Sequence, residues 1–149
     1  MTFWAILGFL SLFSGPVFGS LSDRLGRKKG FIIVFSVQMT SYLLIASGLS
    51  GVCLYLSIGL YGIAAWSIPS IMAAAVGDHA GPEKMTTAFG LVTFIFGLGQ
   101  IAGPAVAGML AEIQGSFEQS FLMAAAFAGL AIILCLFLKT PQQAVQMEI

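Results

Sequence analysis

The sequence predicts an all-α membrane protein that crosses the bilayer with five transmembrane helices. Hydrophobic residues make up 58% of the 149 residues and charged residues only 8%, whereas soluble domains are roughly 25% charged. Apolar runs of about 20 residues, the length that crosses about 30 Å of hydrocarbon, recur along the chain. The mean hydropathy of +1.00 agrees with this class.

Short polar connections separate these apolar runs and place them as antiparallel neighbours in one bundle. We expect a partial transmembrane bundle over residues 1–139 and a short tail over residues 140–149. The predicted spans are residues 2–20, 30–47, 52–76, 86–111 and 120–138.

The basic residues predict how the bundle is oriented. Four of the six lie between the first two spans, and Lys84 and Lys139 fall on the same side if the spans alternate. Cytoplasmic connections are enriched in Lys and Arg, so we expect a plasma-membrane protein with an external N-terminus and a cytoplasmic C-terminus. The zero net charge makes nucleic acid an unexpected partner and leaves the lipid bilayer as the expected one.

Small residues divide the spans into two groups. The first, third and fourth spans are rich in Gly, Ser and Pro, whereas the second has no Gly after its first residue and the fifth has only one. Because small residues let helices approach closely, we expect the first group to line an interior and the second to face lipid. The pairs Gly15/Gly19 and Gly99/Gly103 repeat a pattern of helix packing.

Asp, Glu, Lys, Arg and His are missing from the middle of every predicted span, so the sequence offers no evident intramembrane proton or ion relay. Cys53 and Cys135 stand alone in apolar runs and are interpreted as packing residues. Asp78 and His79, at the exit of the third span, are either solvated loop residues or a proton switch. No catalytic residue, metal or cofactor is predicted, and we do not expect an enzyme.

Gln100 lies mid-span in an otherwise apolar, glycine-rich helix, where an unpartnered amide is costly. It either forms an interhelical hydrogen bond or contacts a substrate near the bilayer midplane. Tyr61 and Trp66 on the third span, with Phe94 and Phe96 on the fourth, would supply aromatic walls for such a site.

The connection after the first span resembles the signature loop of the major facilitator superfamily. It reads Gly19-Ser-Leu-Ser-Asp23-Arg24-Leu-Gly26-Arg27-Lys28-Lys29. The resemblance implies a gating motif in which the acid docks at a helix N-terminus of the other transporter half, where the helix dipole favours negative charge. The alternative is that Asp23 and Arg27 form only a solvated i, i+4 ion pair.

A second match lies in the fourth span, where the segment Gly99-Gln100-Ile-Ala-Gly103-Pro104-Ala-Val-Ala-Gly108 resembles the Gly-Pro motif of the fifth or eleventh helix of that family. Five spans that start outside, followed by a short tail, favour helices eight to twelve. The segment from Trp66 to Asp78 is similar to the C-terminal half of a bacterial branch, which implies the bacterial inner membrane.

The resemblance implies a transporter half that moves a small solute by alternating access against its partner half. The alternative is a truncated bundle that packs in the membrane without transporting, because five helices alone have no opposite wall for a pore.

Overall fold

The computed structural model describes residues 2–48 and 51–138, with side chains from Ala5 onward. Within those residues the chain is helical and has no strand, which confirms the all-α class. The helices are α1 (Thr2–Leu25), α2 (Arg27–Ala46), α3 (Gly51–Ala64), α4 (Ser67–Gln114) and α5 (Glu118–Leu136). The predicted tail and Lys139 lie outside the described residues.

Four stretches of the described chain are long and apolar enough to cross a membrane. They are Ala5–Leu25, Arg27–Ala46, Gly51–Gln114 and Glu118–Leu136. The third of them contains 64 residues, more than three times the roughly 20 residues that one crossing requires. It therefore holds more than one crossing.

The predicted third span, residues 52–76, is not one helix. Helix α3 ends at Ala64, a turn follows at Ala65 and Trp66, and α4 begins at Ser67. Pro69 lies in the first turn of α4, where its missing N–H removes no intrahelical hydrogen bond. Hydropathy does not reveal this break because the sequence is apolar on both sides of it.

Helix α4 reverses direction at Gly81, whose φ of 71° and ψ of 170° are non-helical. Pro69 and Gln100 line one cavity of about 730 Å³, whereas 31 residues of straight helix would separate them by about 46 Å. A Cβ built at Gly77 would also lie 3.4 Å from Met85 Cε, across the reversal. We call residues 67–80 the first arm of α4 and residues 82–114 the second arm.

Helix α2 is the central helix of the bundle, because it contacts all four other helices. Val34 is fully buried, and Gln38 and Ser41 are buried as well. The expectation that the second span faces lipid is therefore wrong within the described bundle, since polar side chains of α2 point inward. The buried apolar core consists of Phe18, Val34, Ala64 and Ile71.

The two predicted glycine pairs have different surroundings. A Cβ built at Gly15 or Gly19 would lie 3.9 or 3.4 Å from Ser70 Oγ, so α1 does approach the first arm closely. At Gly99 and Gly103 a Cβ would meet no described atom within 4 Å. The second arm thus does not use its glycines to pack within this chain.

Candidate functional site

A cluster of charges joins the α1–α2 connection to the first arm of α4. The Arg27 guanidinium donates from Nε to Asp78 Oδ2 at 2.7 Å and from Nη1 to Ser22 Oγ at 3.2 Å, and it also pairs with Asp23. Arg27 is the most enclosed of the three charged groups, with 19% of its side chain exposed. We call Ser22, Asp23, Arg27 and Asp78 the loop charge cluster.

Glycines let this cluster form. Gly26 separates α1 from α2 with a φ of 93°, a conformation that a residue with a Cβ adopts only with strain. Gly30, one turn into α2, lies so close to α1 that an added Cβ would be 2.7 Å from Ser22 Cβ. The tight turn keeps Asp23 and Arg27 within contact at i, i+4.

The remaining residues of the predicted gating motif have different contacts. Lys28 Nζ donates to the Leu136 carbonyl at 2.5 Å and so holds the C-terminal end of α5, where helix carbonyls lack intrahelical partners. Arg24 is exposed. A Cβ at Gly19 would touch Ser70 Oγ at 3.4 Å, which makes Gly19 a packing position between α1 and the first arm.

Asp78 is the member of the cluster that sequence reasoning missed. Neither interpretation of Asp78, as a solvated loop residue or as part of a proton switch, included its pairing with Arg27, 51 residues earlier. Sequence position gave no signal, because the contact exists only once α4 brings its first arm back to the α1–α2 connection. His79 Nδ1 lies 2.8 Å from the Ala75 carbonyl one turn earlier in its own helix.

A cleft with two lobes lies between the helices. The larger lobe, about 960 Å³, is bounded by α2, α3, the second arm and α5, and the smaller, about 730 Å³, by all five helices. Small-molecule sites commonly measure about 300–1,000 Å³. Six residues border both lobes and make them continuous: Gln38, Tyr42, Tyr61, Phe96, Gln100 and Phe121.

The lining of this cleft is aromatic and aliphatic, with few polar groups. Amides come from Gln38 and Gln100. Hydroxyls come from Tyr42 and Tyr61, whose rings lie 5.8 Å apart, and from Ser41 and Ser120. None of the described lining residues is Asp, Glu, Lys, Arg or His. The cleft can therefore bind a largely apolar molecule and orient it through a small number of hydrogen bonds.

Most of the predicted substrate residues meet at this cleft. Gln100, Tyr61 and Phe96 border both lobes, and Trp66 borders the smaller one. Gln100 forms no hydrogen bond with a described residue, so the predicted interhelical bond is not found in this part of the chain. Phe94 lies outside the lining.

The predicted Gly-Pro motif contributes to one lobe only. Gly99, Gly103 and Pro104 border the larger lobe, whereas Gly108 borders neither. Sequence reasoning missed Gln38 and Tyr42 on α2. Gln38 carries the same signal that identified Gln100, namely an amide in the middle of an apolar span, but the span had been assigned to lipid.

These features define a multi-pass helical membrane protein with a solute-sized, uncharged cleft. The family model of the Major Facilitator Superfamily matches residues 2–146, and the chain belongs to that superfamily of membrane transporters. The resemblance of the signature loop is thus confirmed at the level of the family.

Several curated proteins are about 30% identical to this chain over most of its length. It is 30% identical over 134 residues to tetracycline resistance protein, class E, of Escherichia coli, covering 90% of this chain and 32% of the relative. It is 31% identical over 140 residues to multidrug resistance protein 1 of Bacillus subtilis (strain 168), covering 93% and 36%. It is 31% identical over 112 residues to human solute carrier family 67 member A1, covering 72% and 26%.

The chain therefore spans about a quarter to a third of the length of the curated relatives it matches. No solved structure matches the chain significantly.

Proposed function

We propose that this chain forms part of a secondary transporter that moves a small solute by alternating access, and that the two-lobed cleft contributes to its solute site. Membership of the superfamily supports the transport class. The observation that carries the assignment to the cleft is Gln100, an amide that borders both lobes without a described partner. An amide at membrane depth is costly unless another group binds it, and a solute supplies such a group.

The solute is an amphipathic aromatic molecule. Aromatic side chains offer stacking surfaces and attract organic cations through their faces, while the amides and hydroxyls fix orientation. The names of two relatives, a tetracycline resistance protein and a multidrug resistance protein, support this class. The inner membrane of a bacterium is the corresponding location.

Accumulation assays test the role of Gln100. The open reading frame that contains these residues is expressed in an efflux-deficient bacterium, and accumulation of tetracycline and of ethidium is measured. Gln100→Leu should weaken apparent affinity about two- to tenfold, the effect of one hydrogen bond, at unchanged abundance. The matched control is Gln114→Leu, an exposed amide at the end of the same arm that lies outside the cleft.

Two results would contradict the proposal. If neither probe accumulates less in cells with the wild-type protein at normal abundance, the proposed class of solute is wrong and the result favours the alternative, a non-transporting bundle. If transport is present and Gln100→Leu behaves as Gln114→Leu does, the solute binds elsewhere.

The loop charge cluster is the proposed gate. We expect Asp23 to contact the other transporter half, so Asp23→Asn should reduce transport while leaving insertion and abundance intact. Asp78→Asn is the matched comparison, because Arg27 keeps one carboxylate partner in either variant. Normal transport in Asp23→Asn would remove the gating role from this residue.

The cluster lies in the cytoplasm in this proposal, with the N-terminus outside. Leu25 is 43% exposed beside it, so Leu25→Cys in a background with Cys53→Ala and Cys135→Ala should resist a membrane-impermeant maleimide in intact cells. Gln119→Cys, in the predicted external connection, should react. Reaction at position 25 and not at 119 would invert the orientation.

A further inference from the structure

The break between α3 and α4 is held by side chains from three helices. Ser14 of α1 accepts a hydrogen bond from the Trp66 backbone N–H at 3.0 Å. The Ala64 carbonyl accepts one from Gln38 Nε2 of α2 at 3.4 Å and one from Ser67 Oγ at 2.6 Å. We call residues 64–67 the α3–α4 junction.

Pro69 explains why the chain does not form one continuous helix through this junction. In a continuous helix the ring of Pro69 would clash with the carbonyl of Ala65, four residues earlier. The helix therefore starts again at Ser67, with Trp66 as its N-cap residue. The first N–H groups of a helix have no intrahelical partner, and Ser14 supplies an acceptor for the one at Trp66.

The bond between Ser14 and Trp66 lies deep in the membrane. Ser14 is 11 residues before Leu25, the last residue of α1, which is about 16 Å along the helix axis and about half of the hydrocarbon thickness. Non-helical backbone at such a depth persists only where protein groups or a cavity satisfy it. Removal of the Ser14 hydroxyl would therefore let the junction shift or admit water.

Ser14 differs in its surroundings from Ser11, the serine three residues before it on α1. Ser14 is fully buried, and its neighbour Gly15 approaches the first arm so closely that an added Cβ would lie 3.9 Å from Ser70 Oγ. Ser11 is partly exposed, and its hydroxyl donates to the Gly8 carbonyl of its own helix at 2.8 Å. The close contact of α1 with the first arm thus brings Ser14, and not Ser11, to the junction.

The Trp66 side chain lies on the open side of the junction. Trp66 is 61% exposed and borders the smaller lobe of the cleft. Helix α1 and the two arms of α4 contribute Leu7, Pro69 and Gln100 to the same lobe. An indole offers a large stacking surface and one N–H donor, so its position bears directly on how an aromatic solute is held.

We propose that Ser14 is a positioning residue of the solute site that acts through Trp66: its hydroxyl fixes the backbone of the junction, and the junction directs the indole into the lobe that Gln100 also borders. This inference rests on the proposed function, because it requires a solute in that lobe. It gives a fully buried residue of α1, which borders neither lobe, an influence on the affinity for solute.

Tryptophan fluorescence tests the contact without any solute. The chain contains two tryptophans, so Trp4→Phe leaves Trp66 as the only one. In that background Ser14→Ala should shift the emission of Trp66 to longer wavelength and raise its quenching by acrylamide, because water replaces the lost acceptor. Ser11→Ala is the matched control and should change neither. Ser67→Ala removes a bond at the same junction but leaves the Trp66 N–H its acceptor, so its effect should be smaller.

Transport by the full open reading frame tests the link to the solute. Ser14→Ala should raise the KM for tetracycline about threefold, the factor that an average interhelical hydrogen bond in a membrane represents, with the maximal rate and the abundance unchanged. Ser14→Thr, which keeps the hydroxyl, should restore the KM. In a Trp66→Leu background Ser14→Ala should cause no further rise, because the residue through which it acts is gone. That variant keeps the test valid if the extra methyl group of Ser14→Thr does not fit.

Three results would count against these assignments. Wild-type fluorescence and KM in Ser14→Ala, in a protein that transports, would overturn this inference alone. A rise in KM of equal size with and without Trp66 would also overturn it, as would a loss of abundance and maximal rate at constant KM, which a merely structural role predicts. Absence of transport in the wild type would overturn the proposed function, while the fluorescence still tests whether Ser14 holds Trp66.

Discussion

Helix α1 with the helices that pack on it, and the second arm of α4, both contain repeated glycines. The two regions differ in how closely those glycines pack. Close contacts run through Gly19, Gly30 and Gly62, where an added Cβ would lie 3.4, 2.7 and 3.1 Å from the nearest side-chain atom. The five glycines of the second arm have no such neighbour within 4 Å: Gly90, Gly97, Gly99, Gly103 and Gly108. The pattern thus indicates the capacity for close approach, and the described chain supplies the neighbour in only one of the two regions.

Large apolar side chains show the same contrast. Ile71 on the first arm of α4 is fully buried, whereas Phe94, Ile101 and Met109 on the second arm are each more than 60% exposed. Because the chain spans about a third of the length of its relatives, we propose that helices of the other transporter half cover part of this surface.

Overpacking the contact between α1 and α2 should have the largest effect on stability. Gly30→Val would place branched carbons against Ser22, whose backbone Cα lies 3.1 Å from an ideal Cβ, and such overpacking typically costs about 1–3 kcal/mol. Unfolding in mixed micelles by added dodecyl sulfate measures the loss. Gly108→Val, in the second arm of α4, is the control and should unfold as the wild type does. Equal losses in the two variants would mean that the two regions do not differ in packing.

Removing the arginine at the loop charge cluster should have the next largest effect. Arg27→Gln abolishes two ion pairs, and partly exposed pairs contribute about 0.2–1 kcal/mol each. The unfolding midpoint should fall and the difference from wild type should shrink at high salt, because salt screens exposed charges. Arg24→Gln, at an exposed position, should change little. A salt-independent loss in Arg27→Gln would show that packing and not charge holds the cluster.

The sequence predicted the elements with local signals and missed those that depend on distant contacts. The composition predicted the helical class and the signature loop predicted the family, because hydropathy and a loop motif act over short segments. The connection predicted between residues 20 and 30 is shorter in the structure, where α1 continues to Leu25 and α2 begins at Arg27. Asp78 was missed because its partner is 51 residues away. The break at Ala65 and Trp66 was missed because Ser14 and Gln38, which satisfy it, come from other spans.

Only some of the residues that line the candidate site were predicted from the sequence. Gln100, Tyr61 and Phe96 were identified as isolated polar or aromatic residues of spans assigned to an interior, and the cleft brings them together. Gln38 and Tyr42 were not, because a span with so little glycine is predicted to face lipid. Its inward polar residues were the better guide to its position.

Removing a pair of serines that joins α2 to α3 should have a smaller effect on stability. Ser41 Oγ donates to the Ser57 carbonyl at 3.0 Å and Ser57 Oγ donates to the Ser41 carbonyl at 2.9 Å, with both residues fully buried. Interhelical hydrogen bonds in membranes average about 0.6 kcal/mol and reach about 1.7 kcal/mol. Because each hydroxyl donates to the other serine's backbone carbonyl, Ser41→Ala and Ser57→Ala should each lower the free energy of unfolding by an amount in that range, and the two losses should add. An unchanged free energy of unfolding in either variant would show that its hydrogen bond does not stabilise the bundle.

The smallest effect on stability is expected at Gly103, on the second arm of α4. An added Cβ there meets nothing within 4 Å, so Gly103→Ala should change the free energy of unfolding of the chain by no more than about 0.5 kcal/mol. Helix propensity adds little, because a span in the bilayer stays helical whether or not it packs. A loss greater than that would contradict the open position of the second arm, because it would require a neighbour at Gly103 within the described chain.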